Sequence, residues 1–124
     1  QALVQNGNYD EALYINNNKI LEGTTFSFFA VENGGKIITS KADGKILRSI
    51  TRLALLNIFK EQKIYAEETD MFINHISSYK EAFIASSNRG VIPVNSIDGN
   101  MINNGKVGDV TKRVMDLYKE AINI

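Results

Sequence analysis

Four short stretches of this chain carry residue types that could do chemistry together. Glu22 stands between Leu21 and Gly23, at the end of an expected strand, with Thr24 and Thr25 after it. A carboxylate there can hold a partner's proton through a charge-assisted hydrogen bond. A glutamate before a glycine turn can equally be a surface residue. Ile50 and Thr51 open a helical repeat. A helix start presents unpaired N–H groups and a partial positive charge, which suits a phosphate, and Thr51 adds a hydroxyl. The blander reading is a plain helix start. Leu47, just upstream, can lie against a ring or fill the core. Ser86, Ser87 and Asn88 follow an expected strand; such a loop can offer hydroxyls and N–H groups to an anion, or be only a turn.

The elements that must position these residues follow from patterning. Residues 1–8 read as the tail of a helix ended by Asn6-Gly7. Residues 11–16 (EALYIN) read as a strand, with a polar turn at Asn16 to Asn18. Ser27 to Glu32 reads as a buried strand, and Asn33-Gly34-Gly35 as the hairpin turn into Lys36 to Thr39. Lys41 to Lys45 is expected to be a loop. Ile50, Ala54, Leu55, Ile58 and Phe59 share one helical face. Residues 63–67 read as short and extended, and 70–78 as a short helix or loop. Glu81 to Ser86 is a further strand. The segments VIPVNSI and NMI flank Asp98-Gly99, a hairpin signal, with Pro93 expected at a strand edge or bulge. Val110, Val114, Leu117, Tyr118 and Ala121 mark a closing helix with Asp109 near its start. Strands interleaved with two helices predict a mixed α/β domain, a curled, barrel-like mixed sheet with helices packed on it.

Composition narrows the function classes. The 124 residues suffice for one domain, residues 1–124, with one core. Acids and bases balance at 14 each, so charge gives no case for nucleic acid or an anionic membrane. There is no cysteine, hence no disulfide framework and no thiolate chemistry. No apolar run has the length of a membrane span. His75 is the single histidine and reads as structural, so no metal cluster and no Ser-His-Asp arrangement is expected. The stretch GKVGDVTKR (105–113) lacks P-loop spacing and reads as a tight turn and cap. Arg89 reads as a solvated loop arginine. The chain opens on Gln1, which suggests a trimmed polypeptide.

Taken in order, EALYIN, LEGTTFSFFAV, the NGG turn, ILRSITR, EAFIASS, VIPVNSIDG and GKVGDVTKR resemble the C-terminal domain of class IV, fold-type IV aminotransferases, such as those acting on D-amino acids or branched-chain amino acids. The stretch SNRGVIPV is also similar to aminodeoxychorismate lyase. The resemblance implies pyridoxal 5′-phosphate as cofactor and an amino acid and a 2-oxo acid as substrates. By position, Glu22 would face the pyridine nitrogen and Leu47 the ring. Ile50 and Thr51 would hold the phosphate, and Ser86 and Ser87 would complete its cup. The chain departs from the family at Phe26-Ser27, often Ser-Asn, at Ser49, usually glycine, and at Ser87, commonly threonine. The family's Schiff-base lysine and a phosphate-binding arginine lie further upstream, and Lys19, placed in a turn, does not match the lysine's position. The resemblance therefore implies a missing N-terminal domain, a homodimer, a cytoplasmic location and no activity in this chain alone. Two other readings stay open at this stage: a lyase using the same cofactor, and a non-catalytic binding domain with the same fold.

Overall fold

The computed structural model describes residues 2–6, 9–13, 15–20, 26–41, 50–87 and 89–122. Its centre is a five-stranded mixed sheet. Three strands have uninterrupted apolar patterning: β5 (Ser27–Val31), β6 (Ile37–Thr39) and β9 (Glu81–Ser86). Every residue in them is buried, as expected of strands covered on both faces. β10 (Gly90–Val94) and β7 (Ala66–Glu68) are the outer strands, giving the order β10-β9-β5-β6-β7. All neighbours are antiparallel except β6 and β7, which are parallel. A parallel pair needs a crossover. Helix α1 (Ile50–Glu61) lies in that crossover.

Alternation sorts the side chains onto two faces. Phe29, Val31, Ile37, Phe83 and Ala85 face one way and meet Leu55 and Phe59 of α1 and Val114 of α2 (Asp109–Ile122). Phe29 stacks on Phe83, centroids 5.0 Å apart, and meets Phe59 edge-on at 6.2 Å. Phe28, Ala30, Ile38, Ala82 and Ile84 face the other way, toward two smaller sheets. One is built from β1 (Ala2–Asn6), β2 (Tyr9–Leu13), β11 (Ser96–Ile97) and β12 (Asn100–Met101), in the order β12-β11-β1-β2. The other is built from β3 (Ile15–Asn16), β4 (Lys19–Ile20) and β8 (Met71–Phe72), in the order β3-β4-β8. Helices, central sheet and small sheets thus form three layers.

Local chemistry explains the connections. Ile15 faces Ile20 and Asn16 faces Lys19, so Asn17 and Asn18 make the turn, both at positive φ. Asp98 and Gly99, also at positive φ, close the β11–β12 hairpin. Helix α1 ends with Lys63 at positive φ and Ile64 N–H donating to Phe59 C=O at 2.8 Å, a Schellman-type stop.

Several expectations change. Residues 2–6 are a strand, not a helix tail, because Val4 is buried in the core and β1 pairs with both β2 and β11. Residues 11–16 divide between β2 and β3, in different sheets. Lys19 lies in β4 just after the turn, and its Nζ is 3.6 Å from Asp70. Residues 70–78 become β8 and a 3₁₀ helix, Ile73–Ser78. Pro93 does sit on an outermost strand, opposite Phe83. Among the described residues the sheets do not close into a barrel, since β10 and β7 remain unpaired with each other.

Candidate functional site

Strand direction decides which ends meet. β6, β7 and β9 all run the same way, and β5 runs against them. Thr39, Glu68 and Ser86 therefore end their strands at one edge of the sheet, where β5 begins at Ser27. Helix α1 starts at that same edge. Arg52, in its first turn, donates from Nη1 to Thr39 Oγ1 at 2.9 Å, and from Nη2 to Ser40 C=O and to Glu68 Oε2, the latter at 3.0 Å. Thus the start of α1 and the exit of β9, the two elements expected to serve a phosphate, share one end of the sheet.

Within this edge, Thr51 is buried and Ile50 is 84% exposed. The inward face of α1 is Thr51, Arg52, Leu55 and Phe59, rotated from the expected face that included Ile50. The first turn of α1 carries no acid. Ser86 is buried, and its Oγ accepts from Arg89 N–H at 3.1 Å, which ties down the loop after β9. Ser87 is exposed and lines a shallow cavity of about 280 Å3 with Arg89, Tyr118 and Lys119. A larger cavity of about 550 Å3 lies elsewhere, between the 3₁₀ helix and the Asp98-Gly99 hairpin. Glu22, Leu47, Ser49, Asn88 and the expected loop 42–45 fall outside the described residues.

The donor set at the edge suits a phosphate monoester. It combines a twelve-residue helix start without an acid, the Thr51 side chain and a tethered serine loop. The start of α2, at the opposite edge, does not suit one, because it already holds an anion. Glu81 Oε1 accepts from Thr111 N–H at 2.8 Å and from Thr111 Oγ1 at 2.7 Å, and Oε2 accepts from Val110 N–H at 3.3 Å. Gly108 stands at the cap, and a Cβ there would lie 1.9 Å from Glu81 Cδ.

Sequence reasoning missed Arg52 and Glu81. Arg52 had a signal: it shares the 52, 55, 59 stripe with Leu55 and Phe59. Glu81 had none, because its partners lie about thirty residues away in sequence. His75 is exposed and packs edge-on against Phe72, and no metal-type cluster occurs among the described residues.

Comparison with known proteins identifies the family. The profile of the amino-transferase class IV family matches residues 1–97. The chain belongs to the class IV aminotransferase family. A probable branched-chain-amino-acid aminotransferase of Aquifex aeolicus is 32% identical over 116 residues, 92% of this chain and 37% of that protein. A D-alanine aminotransferase of Bacillus licheniformis is 32% identical over 112 residues, 90% of this chain and 39% of that protein. Among solved structures, an aminotransferase from Brucella abortus bound to the co-factor PLP superposes with a TM-score of 0.77 at 26% identity, over 86% of this chain and 37% of that one. This class IV domain therefore spans well under half the length of the relatives it matches. Its fold is that of these aminotransferases.

Proposed function

We propose that the polypeptide carrying this domain is a pyridoxal 5′-phosphate-dependent aminotransferase, moving an amino group between an amino acid, of branched-chain or D-alanine type, and a 2-oxo acid. The observation that carries the proposal is the acid-free start of α1, with buried Thr51, at the edge where β9 exits, in a chain of the class IV family. The cofactor, when bound, supplies an electron sink that makes the amino acid's α-proton removable. The N–H groups at Ile50 and Thr51 and the Thr51 hydroxyl would hold the phosphate, and Ser86 and Ser87 would close its other side. By the family likeness, Leu47 would lie against the ring, and Glu22 would keep the pyridine nitrogen protonated through a charge-assisted hydrogen bond.

The Schiff-base lysine and a phosphate-binding arginine come from an N-terminal domain, and the working unit is a homodimer. The relatives' greater length supports the missing domain. Ile50 and Leu53, 84% and 44% exposed beside the site, support a covering surface. The domain alone is then inactive. A cytoplasmic location is part of the same proposal. No helix among the described residues is long and apolar enough to cross a membrane.

The test is Glu22→Gln in the complete natural polypeptide. Cofactor stays bound while turnover falls by ~10²-fold, about 3 kcal/mol of transition-state stabilisation. Near-normal turnover with full cofactor occupancy would show that Glu22 is only a turn residue.

A further inference from the structure

We propose that Arg52 is a positioning residue: it fixes the start of α1 relative to the two strands that flank residues 21–25. The inference rests on the reading of α1 as the phosphate-holding element. Arg52 is the largest fully buried side chain described, 1% exposed. Its fork reaches three separate acceptors at strand ends. Nη1 donates to Thr39 Oγ1 at the end of β6, and Nη2 to Ser40 C=O just beyond it and to Glu68 Oε2 at the end of β7.

Two of these acceptors pass the connection onward. Thr39 Oγ1, having accepted from the guanidinium, donates its own proton to Phe28 C=O in β5 at 2.7 Å. Ser40, whose C=O accepts from Arg52, donates from Oγ to Ile20 C=O in β4 at 2.6 Å. Ile20 lies before residues 21–25 and Phe28 lies after them. A single side chain on the first turn of α1 is thereby linked to both flanks of the segment that carries Glu22. In the proposed site, this holds the phosphate donors at the start of α1 against the ends of β4, β5, β6 and β7.

Glu68, a carboxylate partner of Arg52 among the described residues, is 45% exposed, so that ion pair lies at a wet rim where its contribution is small. Apolar residues often replace buried ionic groups without loss of stability. The fork's particular property is geometric: a planar guanidinium can meet several acceptors at fixed angles, and an ammonium cannot.

The experiment measures dissociation constants for pyridoxal 5′-phosphate and for pyridoxal, which lacks the phosphate, in the complete natural polypeptide. Wild type is compared with Arg52→Lys, Arg52→Met, Thr39→Val and Glu68→Gln, each checked for folding by thermal melting. Wild type prefers the phosphorylated form. In Arg52→Lys and Arg52→Met that preference falls about tenfold or more, while pyridoxal affinity stays within about threefold. Thr39→Val shows a smaller fall in the same ratio, and Glu68→Gln the smallest. An unchanged ratio in folded Arg52 variants, or equal loss of both ligands, overturns the proposal. If the Arg52 variants do not fold, an unchanged ratio in Thr39→Val overturns it. A wild type without preference for the phosphorylated form overturns the underlying phosphate reading as well, whereas wild-type preference with flat variants overturns the role of Arg52 alone.

Discussion

The two helices lie on one face of the same sheet and begin at opposite edges of it. Their starts solve the same electrostatic problem differently. Both present N–H groups without intrahelical partners and a partial positive charge. At α2 the chain supplies its own anion: Glu81 reaches from β9 to the second and third residues of the helix, doing for Gly108 what a capping side chain normally does. At α1 the first turn has no acid, and its one charged side chain, Arg52, turns inward to the strand ends. One start is closed by structure and the other is suited to receive an anion.

The sharpest way to break this contrast is Gly108→Ala. The added methyl would occupy the position of the Glu81 carboxyl group and displace it from α2. Stability measured by urea unfolding falls by about 3 kcal/mol, through overpacking and loss of a buried cap. A loss below about 1 kcal/mol would mean that Glu81 is not what closes the α2 start.

The converse change supplies an anion to α1. Ile50→Glu adds a carboxylate at an exposed first-turn position, where it favours the helix dipole and leaves stability within about 0.5 kcal/mol. Titration of the complete polypeptide with pyridoxal 5′-phosphate shows binding weakened by about tenfold, or roughly 1.4 kcal/mol. Unchanged binding would place the phosphate elsewhere and remove the functional side of the comparison.

The smallest effect comes from Tyr79, in the core face turned away from both helices. Burial raises its phenol pKa above the ordinary value, and a backbone hydrogen bond at Phe72 acts the other way. The folded state thus holds this proton more tightly than the unfolded chain. The contribution is fully present below the unfolded phenol pKa, about 10, and is lost as pH rises through the higher folded value. Urea midpoints between neutral and alkaline pH fall more in wild type than in Tyr79→Phe. Equal falls would mean that burial of this phenol adds no alkaline sensitivity.

Much of the framework was legible in residues with local meaning. The strand beginning at Ser27, the Asn33-Gly34-Gly35 and Asp98-Gly99 turns, and the presence of both helices depend on neighbours in sequence, and all appear in the structure, though the inward face of α1 is rotated from the expected one. Residues 2–6 were misread because a short stretch with three apolar residues, Ala2 to Val4, shortly before Asn6-Gly7 fits a helix end and a hairpin arm alike. The pairing Val4↔Ile97 that decides between them is tertiary. The barrel failed for a related reason: patterning shows that strands are buried on two faces, not whether their outer edges meet. The expectation that Ile50, Thr51, Ser86 and Ser87 serve a phosphate came from helix-start and strand-exit chemistry, which is local. Arg52 was passed over because a charged residue is expected on the wet side of a helix, and the acceptors it meets at Thr39, Ser40 and Glu68 are tertiary.

The pairing of β1 with β11 also sets a schedule for synthesis. Val4 meets Ile97, and Gln5 accepts a hydrogen bond from Ser96 at 3.0 Å. On a ribosome adding roughly 5–20 residues per second, the first strand waits roughly 5–20 s for its partner to be made. During that interval β1 has β2 beside it and one unpaired edge, able to join a strand of another nascent chain. The order of the sheets makes β1 one of the last strands of this domain to be secured, so crowded translation is the condition under which the domain is most exposed to mispairing.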